Sequence, residues 1–269
     1  MTTIAARLTP EQLHQFEEQG YLILRGVLNT EEVDQLIQTF MEIKAAGSVP
    51  GFFEPASAEE ANGDILKLYP RIMHPHRFNE IALRYLLDGR IQAILADLFA
   101  EEPLAAQSMF YFKPAGARGQ ALHQDNFYLR VEPGTCIAAW FALDPADRDN
   151  GGLEVVPGTH KMDIFCPEEA DAALSFTRDF VPIPEGLQAL PVDLAPGDVL
   201  FFNGSLVHGS QPNRTQDRFR RSFICHYIGR SSERMSQWYR PILTFAGDEV
   251  ILDINEGGGP CGTEIAGPH

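Results

Sequence analysis

From residue 104 onward the chain is written in short apolar and aromatic runs: "LAAQSMFYFKP", "ALHQDNFYLR", "CIAAWFALD", "GGLEVVPGTH", "LQALPVDLAPGDVLFFNG" and "RFRRSFICHYIG". Gly, Pro, Asn and Asp separate them. Runs of this length, cut by turn formers, specify many short strands of a sandwich or barrel. The upstream texture is different. In "LTPEQLHQFEEQG", Thr9 can cap a helix, Pro10 suits its first position, Gln12 completes a capping box, and Gly20 ends it. "YLILRGVL" reads as a short strand. Asn29 with Glu32 opens a second helix, in which Val33, Leu36, Ile37, Phe40 and Ile43 recur at helical spacing. Residues 45–63 read as a loop. "HRFNEIALRYLLDGRIQAILADLFA" reads as a helix with a break near Asp88-Gly89.

Helices first and strands later predict a mainly β fold with flanking helices, not alternating βαβ units. The 269 residues fit one domain, with a helical part over about 8–100 and a β core over about 104–230. Segment 161–188 is acidic and poor in strand signals, which suggests an insertion over the mouth of the barrel.

A net charge of −16 argues against nucleic acid, whose phosphates need a basic surface, and against an anionic membrane surface. No long apolar run suggests a membrane span. "MTTIAARLTPEQ" lacks the apolar core of a signal peptide, and "IAGPH" is no peroxisomal address, so a cytoplasmic location is expected. Cys136, Cys166, Cys225 and Cys261 are widely spaced, and reduced thiols are expected.

The stretch "ALHQDNFYLR" places His123 two positions before Asp125. In a strand both side chains face the same way, with Gln124 opposite. Alone, the pair reads more often as a polar surface pair than as ligands. A third ligand changes this. His208 follows the apolar run "DVLFF" and lies 83 positions after Asp125, a separation that a closed β architecture can bridge. Two imidazoles and one carboxylate on one side of a metal suit non-haem Fe(II) oxygenases, which need open positions for a co-substrate and dioxygen. "RFRRSF" offers Arg218, Arg220 and Arg221 to grip a co-substrate carboxylate. On a strand, Arg218 and Arg220 share a face with Ser222 and Arg221 lies opposite. Parity leaves open which face is interior.

Taken together, His123-Gln124-Asp125, "WFALDPADRDNGGLEVVPGTHK" and "PGDVLFFNGSLVHGSQPNRTQDRFRRSFICHYI" resemble the phytanoyl-CoA dioxygenase family, which includes ectoine hydroxylase. The likeness runs from "EQLHQFEEQGYLILRGVL" to about residue 245. It implies a double-stranded β-helix, a distorted, cupin-like jelly roll. It implies His123, Asp125 and His208 as iron ligands, and Arg220 with Ser210 at the distal carboxylate of 2-oxoglutarate. Trp140 and Met109 match pocket residues around that co-substrate, and Lys67 matches a looser contact to it. The family's arginine often stands one position closer to the histidine, so Arg218 and Arg221 stay open as alternatives.

The chemistry implied is oxidation of a small-molecule substrate by Fe(II), 2-oxoglutarate and O2, with release of succinate and CO2. Asp125 occupies the position that related halogenases give to a small residue, so hydroxylation is the default outcome. Desaturation, epimerisation and demethylation use the same oxidant. A metal-holding jelly roll without turnover is the reading from another class. Gln107, Tyr111, Lys113, Asn126 and Tyr128 flank the His-x-Asp stretch as substrate-pocket candidates. Asn126 and Tyr128 reach the pocket only if the strand ends or bulges. His226 is expected to be a hydrogen-bonded core histidine, His160 to be structural, and His74 and His76 to sit in a loop near the site mouth. A monomer or homodimer is expected.

Overall fold

The computed structural model describes residues 7–255, 261–262 and 267–268. Helix Pro10–Gln19 is capped by Thr9 with Gln12 closing the box, and Thr30–Ala46 by Asn29 with Glu32. In each, the cap side chain accepts from the third backbone N–H of the helix, and the side chain at that position accepts from the cap's own N–H. The third helical stretch is two helices, Glu80–Leu86 and Gly89–Phe99, with Asp88 capping the second. The loop expected over 45–63 contains one helical turn, Ala58–Ala61, capped by Ser57 and Glu60.

The β core consists of two main antiparallel sheets, the arrangement of a jelly roll. The larger has eight strands, in the order Tyr21–Leu24, Val199–Asn203, Cys136–Ala142, Ser222–Gly229, Pro103–Tyr111, Ile242–Leu243 and Glu249–Val250, with Ile72–Met73 also on Pro103–Tyr111. The smaller runs Gln120–His123, His208–Ser210, Leu153–Val155 and Leu190–Pro191.

Side-chain alternation in the larger sheet decides what goes where. Phe223 lies in register with Phe110 and Phe141. That face is covered by the helices: the Phe40 ring stacks on Phe110 at 4.0 Å between centroids and lies 5.6 Å from Phe223. Leu36, Leu95, Phe201 and Tyr227 extend this core. The neighbouring residues point the other way. Ile224 is in register with Met109 and Trp140, and with Leu200 and Phe202 they pack against Leu153 and Val155 of the smaller sheet. The space between the sheets therefore receives every second residue of each central strand.

Two expectations fail here. Cys166 and Cys261 form a disulfide, so only Cys136 and Cys225 are free thiols, both buried. Their separation of 95 residues hid a pairing that only the tertiary fold brings together. His74 and His76 do not line the mouth of the site. They flank the first residue of a 3-10 turn, Pro75–Arg77, and both rings are buried, with His76 Nδ1 2.7 Å from Ser108 Oγ. The Pro75 that suggested a loop instead begins that turn. His160 takes a structural part: its Nε2 donates to the Glu17 carbonyl at 3.0 Å.

Candidate metal centre

His123 is the last residue of Gln120–His123 and His208 the first of His208–Ser210. The two are register partners across the smaller sheet, and their ring centroids lie 4.3 Å apart. Asp125 arrives differently from the sequence expectation. The strand ends at His123, Gln124 is the cap residue, and Asp125 opens the short helix Asp125–Leu129. A turn, rather than strand alternation, brings the carboxylate beside the imidazole. A backbone bond from Asn126 N–H to the Gly204 carbonyl at 2.8 Å fixes that turn. Gln124 does face away, donating to the Ser205 carbonyl at 2.7 Å and accepting from Phe165 N–H at 2.8 Å.

One ligand atom from each of His123, Asp125 and His208 lies within 4.8 Å of the others, and all three residues are buried. Asp125 Oδ1 is 3.4 Å from His123 Nε2 and 3.6 Å from His208 Nε2. Each imidazole is oriented by its own chain. His123 Nδ1 lies 2.8 Å from the Ala121 carbonyl and His208 Nδ1 2.9 Å from the Leu206 carbonyl. A carbonyl only accepts, so each Nδ1 carries the hydrogen and each Nε2 presents its lone pair. Burial holds the His208 pKa down at about 4, although Asp125 acts to raise it. Burial works against the Asp125 carboxylate, but the neighbouring His208 and His226 and the hydrogen bond from His226 outweigh it, and its pKa is well below the usual range. Two imidazole nitrogens and one carboxylate oxygen therefore stand together as a donor set. That donor set fits Fe(II) and leaves positions for non-protein ligands.

His226 lies 2.9 Å, through Nε2, from Asp125 Oδ2 and orients the carboxylate. His226 is thus a buried, hydrogen-bonded histidine, as expected.

The three arginines separate cleanly. The strand begins at Ser222, so all three precede it. Arg221 forms two hydrogen bonds with Asp144, at 2.7 and 2.8 Å, and Arg218 pairs with Asp147 at 2.5 Å. Arg220 turns inward and is buried. It donates to the Gly151 carbonyl at 3.1 Å and to Ser222 Oγ at 2.8 Å, with its guanidinium 5.1 Å from the Trp140 ring centroid. Among the described residues it has no acidic partner, and burial lowers its pKa to about 10.

An inner cavity is lined by His123, Asp125, His208, Ser210 and Arg220, with Met109, Tyr111 and Trp140 also on its wall. Tyr111, Gln120, Ser210 and Arg220 also border an outer cavity, which Phe176 and Thr177 of the 161–188 segment help to line.

Other candidates fall elsewhere. Lys67 is exposed on the single turn Ile65–Leu68 and does not line either cavity, which corrects its expected co-substrate contact. Asn126 Oδ1 accepts from Val131 N–H at 3.0 Å, so its side chain fastens the turn rather than lining the cavity. Tyr128 is buried with its ring 6.3 Å from that of His123, and its hydroxyl donates to Asp179 at 2.6 Å. Gln107 is buried in register with His226, behind the cavity wall.

Lys113 is the residue that spacing underrated. It ends "MFYFK", is fully enclosed, and donates from Nζ to Ser210 Oγ at 2.8 Å. Burial, then the Arg220 charge, push its pKa well below the usual lysine range. Its signal was a lysine directly after the apolar run Met109–Phe112.

The comparisons with known proteins agree with this geometry. The pattern of the phytanoyl-CoA dioxygenase (PhyH) family matches residues 16–222. Phytanoyl-CoA dioxygenase 1 of Oryza sativa subsp. japonica is 27% identical over 246 residues, covering 78% of this chain and 85% of its own. Phytanoyl-CoA dioxygenase domain-containing protein 1 of Bos taurus is 26% identical over 281 residues, covering 88% and 96%. The epimerase SnoN, solved with Fe3+, alpha ketoglutarate and nogalamycin RO, shares the fold with a TM-score of 0.66 at 22% identity, over 86% of this chain and 85% of that one. EvdO2 from Micromonospora carbonacea var. aurantiaca, complexed with 2-oxoglutarate, has a TM-score of 0.65 at 22% identity, over 85% and 94%. With that family pattern spanning most of its β core and helices, the chain belongs to the phytanoyl-CoA dioxygenase family of Fe(II)- and 2-oxoglutarate-dependent oxygenases.

Proposed function

We propose that this oxygenase hydroxylates an unactivated C–H bond of a small-molecule metabolite and converts 2-oxoglutarate and O2 to succinate and CO2. The observation that supports it most is the coexistence, around one buried cavity, of the His123, Asp125 and His208 donors and an arginine that has no acidic partner among the described residues. His123, Asp125 and His208 would hold the metal. Iron, when bound, supplies the activation of dioxygen that no side chain provides.

The remaining work belongs to the chain. Arg220 receives the distal carboxylate of 2-oxoglutarate, Ser210 shares it, and Lys113 supports Ser210 from behind. Lys113, rather than the Lys67 implied by the resemblance, is thus the lysine at the co-substrate end of the cavity. Trp140 and Met109 form an apolar wall that excludes water from the keto acid. His226 holds Asp125 through one oxygen and leaves the other directed to His123 and His208.

Asp125 as a carboxylate supports hydroxylation over halogenation. Neighbours of the same fold include an epimerase and a carbocyclase, so product mass is the measurement that selects among outcomes. The first test is succinate release from 2-oxoglutarate on addition of Fe(II), with and without candidate metabolites. Stimulated release from the wild type and none from His208→Ala is the expected result. A protein that binds metal and keto acid but never forms succinate would support the non-catalytic reading instead.

A further inference from the structure

Lys113 puts an amine where a charge costs most. It stands just beyond the strand Pro103–Tyr111 and is buried. Its backbone lies in the left-handed region at φ +39°, which a residue with a side chain adopts only where its surroundings hold it. Here Arg220 N–H and Asn213 Nδ2 both donate to its carbonyl, each at 3.1 Å. Gly151 makes room for the amine, since a β-carbon there would lie 2.6 Å from Lys113 Cε. Nζ meets Ser210 Oγ and, among the described residues, no carboxylate. The charges that face it are Arg220 and, on Leu153–Val155, Glu154, whose Oε1 accepts from Gln211 Nε2 at 2.9 Å. Arg71 and Arg118 border the same outer cavity, Arg118 paired with Asp64.

Counting hydrogen bonds at Ser210 shows what the amine does. A hydroxyl has two lone pairs and one hydrogen. Ser210 Oγ accepts from Lys113 Nζ at 2.8 Å and from Gln120 N–H at 3.3 Å. In that arrangement both lone pairs are in use, so the hydrogen is free to be donated, and no group among the described residues accepts it. Arg220 is in a similar state. Its Nε donates to the Gly151 carbonyl and its Nη1 to Ser222 Oγ, while Nη2 meets no acceptor among the described residues. Ser210 and Arg220 border the same two cavities. A carboxylate between them accepts from both. Its charge also stands beside the Lys113 amine and offsets what keeps that amine neutral, which is burial first and the Arg220 charge second.

We propose that Lys113 is a positioning residue for the keto acid: it takes a proton from solvent as the distal carboxylate binds, and as an ammonium it fixes Ser210 as a donor to that carboxylate. This rests on the oxygenase reading above, in which Arg220 and Ser210 seat 2-oxoglutarate. A neutral amine accepts as well as donates, so in the empty cavity the Ser210 hydrogen can turn back onto it. An ammonium has three hydrogens and no lone pair, which closes that turn. The site therefore answers to the distal charge, and a keto acid without a second carboxylate leaves the amine neutral. Binding that takes up a proton weakens as pH rises, by up to about tenfold per pH unit while the empty site is neutral and the filled site charged.

The test is calorimetric titration of anaerobic, Fe(II)-loaded protein at about pH 8, in HEPES and in Tris, whose different ionisation heats count the protons exchanged. Arg220, with a pKa of about 10, is already charged there and adds nothing to the count. 2-Oxoglutarate should bring in about half a proton or more per wild-type chain, and pyruvate, which lacks the distal carboxylate, about none. Lys113→Met keeps the apolar stem and removes the amine. It should bind 2-oxoglutarate about tenfold or more weakly, with no proton uptake and an affinity nearly independent of pH, and pyruvate within about twofold of the wild type. The comparison of the two keto acids in the wild type needs no variant, so it decides the matter even where Lys113→Met does not fold.

Wild-type binding of 2-oxoglutarate without proton uptake, or equal uptake with pyruvate, would overturn the proposal. So would uptake that persists in Lys113→Met, or equal weakening of both keto acids there, which is what a purely structural lysine produces. Absence of any 2-oxoglutarate isotherm in the wild type would overturn the oxygenase reading and the proposal with it, whereas an isotherm without proton exchange overturns the proposal alone.

Discussion

At the scale of single residues, the metal centre depends on which nitrogen and which oxygen each side chain offers. The Ala121 and Leu206 carbonyls settle the histidine tautomers, and His226 settles the carboxylate. His226 is therefore a positioning residue. Its replacement by Ala should lower Fe(II) affinity by about 10–100-fold, and His226→Gln, which can still donate, should recover part of it. Metal titration of the two variants, with thermal melts to exclude unfolding, separates this from a packing role.

Arg220→Gln should raise the 2-oxoglutarate KM by about tenfold or more with a smaller effect on kcat, because the lost contact is made before the chemistry as well as during it. Arg220 was one of three arginines by spacing. The acidic partners of Arg218 and Arg221, Asp147 and Asp144, are distant in sequence, so the alternatives could close only in three dimensions.

At the scale of elements, the sheet faces divide the labour. Phe40 belongs to the helical layer and touches no ligand. Phe40→Ala should destabilise the fold by about 3–5 kcal/mol in urea unfolding, while Fe(II) affinity of the folded fraction stays near that of the wild type. Gly209 is the opposite case. A β-carbon there would lie 2.8 Å from the Gln120 carbonyl oxygen and 3.0 Å from Leu122 N, both backbone atoms of the strand that ends in His123. Gly209→Ala should push the two ligand-bearing strands apart and weaken Fe(II) binding more than it lowers the melting temperature.

The helix caps, the apolar periodicity and the strand texture were legible because each is a local preference. Asp125 stands beside the two histidines as expected, but a turn rather than strand alternation puts it there. The residues that end the strand, Gln124 and Asn126, act through partners at 165, 204 and 205 that no short window contains.

At the scale of the whole molecule, buried histidines link the fold to pH. Burial, with the nearby Arg77, lowers His74 to about 2 and His76 to about 3 from an ordinary 6.5. The folded state thus resists protons that the unfolded state accepts. Stability is complete above the unfolded value and falls as pH drops from about 6.5 toward the folded values. For the metal-free protein, each histidine should cost about 2 kcal/mol between pH 7 and pH 5, and His76→Phe should flatten that slope in urea titrations.

The Cys166–Cys261 bond was beyond sequence reasoning, since four spaced cysteines carry no pairing information. Among the described residues, no helix is long and apolar enough to cross a membrane.

The proposed chemistry requires one ferrous ion held jointly by His123, Asp125 and His208. Anaerobic Fe(II) titration in the presence of 2-oxoglutarate, followed by the charge-transfer absorption of the keto acid on iron, measures this directly. One equivalent per wild-type chain, and no such band in His123→Ala or His208→Ala proteins that remain folded, is the predicted result. A full band in His208→Ala, or its loss in His76→Ala with His208 intact, would contradict it.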